Sequence, residues 1–119
     1  MIVDERLVTY INSLDTGNTE ILDQIEKEAI AAYVPIIRKE MQSFLKLLLA
    51  MQKPMRILEV GTAVGFSAIL MAQYAPADCK IVTIENYEKR IPVAKENFKR
   101  AGKDEQITLL EGDAMQILP

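Results

Sequence analysis

The amino-acid sequence predicts an α/β protein, in which a helical N-terminal extension precedes the first β-α-β-α-β half of a doubly wound parallel sheet. Apolar residues recur at helical spacing as far as Pro54, and beyond it short continuous apolar runs alternate with helix-like stretches. Continuous apolar strands separated by helices are typical of a parallel sheet with crossover helices. The change at Pro54 predicts two parts, a helical extension at residues 1–53 and a sheet-forming domain at residues 54–119.

Three helices are expected before Pro54, because three stretches carry apolar stripes with a spacing of three or four residues. They cover, in order, residues 4–14 before a turn at 15–18, a stretch from a cap at Asn18 or Thr19 to Pro35, and residues 39–52.

Three strands and two crossover helices are expected after Pro54. The strands are RILEVG, KIVTIE and ITLLEG, at residues 56–61, 80–85 and 107–112. The helices between them cover residues 65–75 and 87–102, with Gly102 at the end of the second helix. The stretch DAMQILP, residues 113–119, begins another turn or helix.

Composition excludes several classes of function. The 119 residues are half apolar with a net charge of −3, which is ordinary for a soluble globular domain and gives no broad basic surface for nucleic acid. Histidine is absent, so histidine-based catalysis and histidine-ligated metals are excluded within this stretch. One cysteine allows no internal disulfide, and no signal peptide or membrane span is apparent, so we expect a cytoplasmic location. A small basic group, Arg38, Lys39 and Lys46, leaves a local RNA contact open.

The turn after the first strand carries the strongest chemical signal, because ligands of doubly wound sheets lie beyond the carboxyl ends of the strands. Gly61 lets the chain leave the strand sharply, and Gly65 lets the next helix start close to the sheet. Backbone N–H groups at that helix start, together with the Ser67 hydroxyl, suit an anionic group. Ala63 stands where a dinucleotide-binding loop needs glycine, so a carboxylate fits better than a pyrophosphate.

The turns after the second and third strands add further polar positions. Glu85 ends the second strand, where an acid accepts hydrogen bonds from ribose hydroxyls in nucleoside-binding sheets. Asp113 and Ala114 follow the third strand, and a short polar side chain beside a small one suits an adenine. Each feature alone is more often an ordinary turn or a solvated acid, but their coincidence at three successive strand ends favours a ligand site.

With these residues in place, nearly the whole chain resembles the class I S-adenosylmethionine-dependent methyltransferases. More narrowly, it resembles the cation-dependent O-methyltransferases that include the catechol and caffeoyl-CoA enzymes and their bacterial relatives. The stretch LEVGTAVGFSAILMA is similar to the first motif of that family, IVTIENYEKRIPVAKENFKRAG to the second, and ITLLEGDAMQILP to the third. The N-terminal helices resemble the helical extension that helps this family to form dimers.

The resemblance implies a role for each matching residue. Gly61 and Gly65 would shape the loop around the methionine part of S-adenosylmethionine, and Ser67 would bond its carboxylate. Glu59 would support the loop and the ammonium group, and Glu85 would hold the ribose hydroxyls. The other implied contacts are Asn86 beside the adenosine, Asp113 and Ala114 along the adenine, and Ile36 and Ile37 in the segment that covers the cofactor.

The resemblance also implies a divalent metal, Mg²⁺, but the family's metal ligands follow its fourth and fifth strands. We therefore expect the chain to be the N-terminal, cofactor-binding half of such an enzyme, with no catalytic or metal-ligating residue of its own and no activity alone. The implied methyl acceptor is a catechol-like small molecule or a hydroxylated tRNA uridine.

Two other functions stay open. The chain is either a non-catalytic fragment that assembles through its N-terminal helices and has little affinity for the cofactor, or half of a nicotinamide-binding oxidoreductase, which Ala63 disfavours. In every case the half-sheet would leave an open edge and apolar helix faces, so we expect a homo-oligomer, as a dimer that covers or exchanges elements.

Overall fold

The computed structural model describes residues 4–13 and 17–118, which form six helices and three strands. In chain order these are α1 Glu5–Ser13, α2 Glu20–Ala31, α3 Lys39–Gln52, β1 Arg56–Val60, α4 Phe66–Tyr74, β2 Lys80–Glu85, α5 Ile91–Arg100, β3 Ile107–Glu111 and α6 Ala114–Ile117. Position 14 of the first predicted helix, positions 15 and 16 of the predicted turn, and Pro119 lie outside the described residues.

The three strands form one parallel sheet in the order β1-β2-β3, which confirms the predicted α/β fold class. Glu59 of β1 lies beside Thr83 of β2, which in turn lies beside Leu109 of β3. Because all three strands run in the same direction, their carboxyl ends meet at one edge of the sheet. The polar residues that follow the strands are therefore brought to that edge.

The centre of the core is α4, which is buried on nearly every side. Phe66, Ile69 and Leu70 of this helix are at most 2% exposed. The sheet and α5 cover one side of α4, and α2 and α3 pack against it from the helical extension. This continuous contact explains why α4 is apolar throughout rather than along one stripe.

Two helix boundaries differ from the sequence prediction, each for a local reason. The second helix ends at Ala31 rather than at Pro35, because the chain turns through Tyr33 in the left-handed region (φ +57°) and Val34 N–H donates to the Ala29 carbonyl. Helix α5 starts at Ile91 rather than at residue 87, because residues 88–90 form a turn. Pro92 therefore falls in the first turn of the helix, where its missing N–H costs nothing.

The opposite face of the sheet carries exposed apolar side chains. Leu58 and Val60 of β1 are more than half exposed, and Leu110 of β3 is more than one third exposed. In the part of the chain that the structure describes, no helix is both long and apolar enough to cross a membrane.

Candidate functional site

The site forms at the carboxyl edge of the sheet, where the chain leaves each strand. Gly61 N–H donates to the Ile84 carbonyl at 2.8 Å, and Gly112 N–H donates to the Glu85 carbonyl at 2.9 Å. These two bonds extend the parallel ladder one residue past β1 and past β3. The starts of the three following turns are therefore fixed relative to one another.

The turn between β1 and α4 (residues 61–65) has an unusual backbone. Gly61 (φ +91°) and Gly65 (φ +89°) are in the left-handed region that favours glycine. A Cβ atom on Gly65 would lie 2.6 Å from Cε1 of Phe98, so Gly65 is also required for the packing of α4 against α5. A Cβ on Gly61 would meet nothing within 4 Å, so open space lies beside this residue.

Ala63 has a φ of +50°, which is unfavourable for a residue with a side chain. Its N–H donates to Oε1 of Glu85 at 2.7 Å, and this charge-assisted bond holds the strained conformation. Glu85 also accepts N–H bonds from Asn86 and Tyr87 at Oε2, both at 3.1 Å. Glu85 thus ties the β1–α4 turn to the end of β2, a structural role that the sequence did not predict.

The Glu85 carboxylate keeps capacity for a ligand. Glu85 is only 8% exposed, and its two carboxylate oxygens together accept three backbone hydrogen bonds. A carboxylate offers about four acceptor positions, so one position stays available for a hydroxyl donor. The predicted contact with ribose hydroxyls is compatible with this geometry.

Glu59 lies one strand away and is bound by hydroxyl groups. Ser67 Oγ donates to its Oε2 in a short bond, and Thr83 Oγ1 donates to its Oε1 at 2.7 Å. The Thr83 hydroxyl is in turn 2.7 Å from the Thr62 hydroxyl. Burial raises the pKa of Glu59, the bonds from Ser67 and Thr83 oppose that rise, and the negative charge of Glu85 adds to it.

A pocket of about 270 Å³ lies beside the β1–α4 turn. One wall is the segment Pro35–Ile37, which precedes α3, and the lining also includes Gly61, Ala63 and Ser67. The structure thus places Ile36 and Ile37 in the same pocket as the turn. A second groove shares Ile37, Gly61 and Ser67 with this pocket and is also lined by Glu59.

The other predicted residues lie at the same edge of the sheet but outside this pocket. Asn86 is exposed and contributes its backbone N–H to Glu85. Asp113 caps α6 by accepting the Met115 N–H at 2.9 Å, and Ala114 is the first residue of that helix. Of the residues that the structure describes, neither Asp113 nor Ala114 lines the pocket beside Gly61.

Two buried residues of the site, Thr62 and Thr83, were not predicted from the sequence, nor was the buried amide of Gln42 in α3, which bonds the pocket segment at the Ile37 carbonyl. The sequence does carry a weak signal for the first two, because polar residues inside apolar runs need hydrogen-bond partners when buried. Within residues 4–13 and 17–118, no three acidic, cysteine or histidine side chains are grouped so as to hold a metal ion.

Comparison with known proteins gives a consistent result. A family model described as O-methyltransferase matches residues 12–119. A catechol O-methyltransferase of Mycobacterium tuberculosis is 33% identical over 112 residues, which is 92% of this chain and 51% of that protein. A catechol O-methyltransferase of Niastella koreensis is 40% identical over 76 residues, which is 64% of this chain and 34% of that protein.

Solved structures show the same fold. The O-methyltransferase from Bacillus cereus in complex with SAH superposes with a TM-score of 0.81 at 27% identity, covering 95% of this chain and 52% of that one. TomG from Streptomyces achromogenes, an O-methyltransferase in complex with SAM, superposes with a TM-score of 0.80 at 29% identity, covering 100% of this chain and 56% of that one. The chain thus spans about half the length of these structures.

Proposed function

The chain belongs to the O-methyltransferase family, and on that premise we propose that it is the cofactor-binding half of an S-adenosylmethionine-dependent enzyme that methylates a hydroxyl group. The observation that carries the proposal is the 2.7 Å bond between Ala63 N–H and Glu85, which sets a carboxylate directly beside the glycine-containing turn, where we propose that it takes the ribose hydroxyls. The solved relatives with SAM and SAH support the choice of cofactor.

The described residues match the chemistry of each end of this cofactor. Its carboxylate would enter the pocket at Ser67 and its ammonium group would pair with Glu59, which has hydroxyl partners but needs a cation to offset its buried charge. Glu85 would take the ribose hydroxyls. Asn86, Asp113 and Ala114 would line the adenosine, at the ends of β2 and β3. When bound, the cofactor supplies an electrophilic methyl group.

The metal ion that the resemblance implies does not fit the residues at hand. The described residues offer no group of three candidate ligands, so we derive no step through a metal. Accordingly the proposal assigns no catalytic residue to this chain and expects no methyl transfer by it alone. A turnover assay with a catechol and Mg²⁺ tests this: a rate matching that of a relative twice as long would contradict it.

The contacts that the basic residues make within the chain favour a small catechol-like acceptor over tRNA. Arg38 pairs with Glu40 at 2.8 Å, Lys39 with Glu26 at 3.5 Å, and Lys46 stacks over Tyr74 at 4.8 Å. These cations are engaged by neighbours on the protein, which weakens the case for a phosphate-binding surface. The proposal keeps the expected cytoplasmic location and a dimer of this chain.

Calorimetric titration with S-adenosylhomocysteine tests the cofactor site. We expect micromolar binding by the chain and a loss of at least about tenfold, or 1.4 kcal/mol, in Glu85→Ala. Glu111→Ala is the matched control, because Glu111 ends the neighbouring strand and is exposed outside the site. Circular dichroism checks that each variant is folded.

Each outcome of this titration distinguishes among the candidate functions. Binding that Glu85→Ala abolishes and Glu111→Ala preserves supports the proposal. A folded chain that binds no S-adenosylhomocysteine would overturn it in favour of a non-catalytic assembling protein. Binding of a nicotinamide cofactor instead would favour the oxidoreductase.

A further inference from the structure

The side chain of Gln42, in the first turns of α3, is fully buried (0% exposed). A buried amide carries two donor hydrogens and an acceptor oxygen, and leaving them unpaired costs stability. The amide of Gln42 therefore needs hydrogen-bond partners inside the protein.

All the polar groups of this amide have partners, and the partners belong to three separate segments. Nε2 donates to the Ile37 carbonyl and to Oε2 of Glu26 in α2, each at 2.9 Å. Oε1 accepts a bond from Nδ2 of Asn18 at 3.0 Å. Gln42 thus joins the segment before α3, helix α2 and the residue that precedes the cap of α2.

The segment 34–38 depends on this link because it has no regular secondary structure. Val34 N–H donates to the Ala29 carbonyl at one end, and the Arg38 carbonyl accepts the N–H of Gln42 at the other. Between these ends Pro35 has no N–H to donate. The Gln42 side chain holds the Ile37 carbonyl, and so it adds a hydrogen bond between these two ends.

Pro35, Ile36 and Ile37 of this segment form a wall of the pocket that Gly61 and Ser67 also line. We propose that Gln42 is a positioning residue that holds the Pro35–Ile37 wall in the place where it encloses the amino-acid end of the ligand. It acts through the Ile37 carbonyl and not by contact, since its own side chain does not line the pocket. This inference rests on the proposed function, because the ligand's amino-acid end is assigned there.

A pair of ligands isolates this effect. S-adenosylhomocysteine carries the amino-acid group, whereas methylthioadenosine has the same nucleoside and thioether without it. If the wall loses its position, the affinity for S-adenosylhomocysteine falls and the affinity for methylthioadenosine does not. A general loss of folding would weaken both ligands alike.

The variant Gln42→Leu keeps the size of the side chain and removes its hydrogen bonds. We expect its affinity for S-adenosylhomocysteine to fall by about tenfold or more, the effect of one lost bond with a polar group left unpaired. Its affinity for methylthioadenosine should change less than about twofold. Asn18→Ala, which removes a partner of Gln42 nearer the surface, should show the same split to a smaller degree and serves if Gln42→Leu does not fold.

The control is Arg100→Met. Arg100 of α5 pairs with Glu28 of α2 through both guanidinium NH groups, at 2.7 and 3.1 Å, and neither residue lines the pocket. This variant removes an ion pair near the surface and leaves the three hydrogen bonds of Gln42 in place, so the ratio of the two affinities should equal that of the unmodified chain. An equal loss for both ligands in Gln42→Leu would overturn the positioning role.

Hydrogen exchange without ligand gives a second, independent readout. Gln42→Leu should speed amide exchange in residues 34–38 and leave residues 61–67 unchanged, whereas Arg100→Met should affect neither. Unchanged exchange in residues 34–38 would overturn the inference whatever the binding result. If the unmodified chain binds no S-adenosylhomocysteine, the proposed function fails, and the exchange data still decide whether Gln42 holds the wall.

Discussion

At the scale of single residues, Glu59 is the group whose surroundings are least favourable to its own charge. Its bonded partners are the uncharged hydroxyls of Ser67 and Thr83, and Glu85 adds a second negative charge nearby. Ser67 has one hydroxyl hydrogen, which it gives to Glu59. A ligand carboxylate that took this hydrogen would leave Glu59 short of a donor, and the ligand's ammonium group would replace it.

The raised pKa of Glu59 predicts a specific pH dependence of stability. Above the ordinary value of 4.5, the native state keeps its proton when the unfolded state has lost it, so stability falls as pH rises toward the native pKa. Glu59→Gln removes this titration. We expect a higher melting temperature than the unmodified chain at pH near neutral, and no such gain below about pH 4.5, by thermal unfolding followed with circular dichroism.

Glu111→Gln is the control for this measurement, because Glu111 is exposed and pairs with Lys95 at 2.9 Å, outside the hydrogen bonds of Glu59. The same Glu59→Gln variant should bind S-adenosylhomocysteine more weakly, since an amide cannot pair with its ammonium group. A lower melting temperature near neutral pH would show that the hydrogen bonds to Glu59 outweigh its buried charge.

The part of the site whose residues lie close together in the sequence could be predicted, and the part formed by residues far apart in the sequence could not. Gly61 and Gly65 belong to one turn and Ser67 to the start of the helix that follows it, so their spacing alone indicated a common purpose. The Thr62–Thr83 bond joins residues on two elements, and nothing in the local sequence of either indicates the other. Gln42 looks like an ordinary polar residue of a helix until three distant segments converge on it.

At the scale of elements, periodicity predicted the strands and helices well because burial sets the sequence pattern. It failed at two ends: α2 stops where Tyr33 turns left-handed, and α5 starts after a turn at residues 88–90. Both boundaries depend on backbone turns that a hydrophobic pattern does not report. The central position of α4 was also missed, because the contacts with α2 and α3 come from outside the sheet domain.

The burial of α4 predicts a large cost for truncating its side chains. Leu70 is 0% exposed, so Leu70→Ala should lower the free energy of unfolding by about 2–5 kcal/mol through lost apolar contact and a residual cavity. Val93 in α5 is 46% exposed, and Val93→Ala should cost less than about 0.5 kcal/mol. Urea unfolding measures both, and a similar small loss for the two would place α4 outside the cooperative core.

At the scale of the whole molecule, the open edge and bare face of the sheet are the main unsatisfied features. Met55 C=O and Gly61 N–H both point to β2, so the alternation along the strand directs the backbone groups of residues 56, 58 and 60 away from it. Within the described part of the chain, no strand pairs with that outer edge of β1. Leu58 and Val60 expose apolar side chains on the same strand.

This geometry predicts that the 119-residue chain associates with itself. Two copies related by a two-fold axis would pair their β1 edges in antiparallel fashion, which joins the two sheets and brings Leu58 and Val60 of the two copies side by side. Light scattering during size-exclusion chromatography should show a mass that rises from one chain toward two across micromolar concentrations. Leu58→Lys should shift the chain to a monomer by placing a charge in the contact, whereas Ile30→Lys, an equally exposed apolar position on α2, should not. A clean monomer across that range would contradict the association, and a dimer equally sensitive to Ile30→Lys would move the contact to the helical extension.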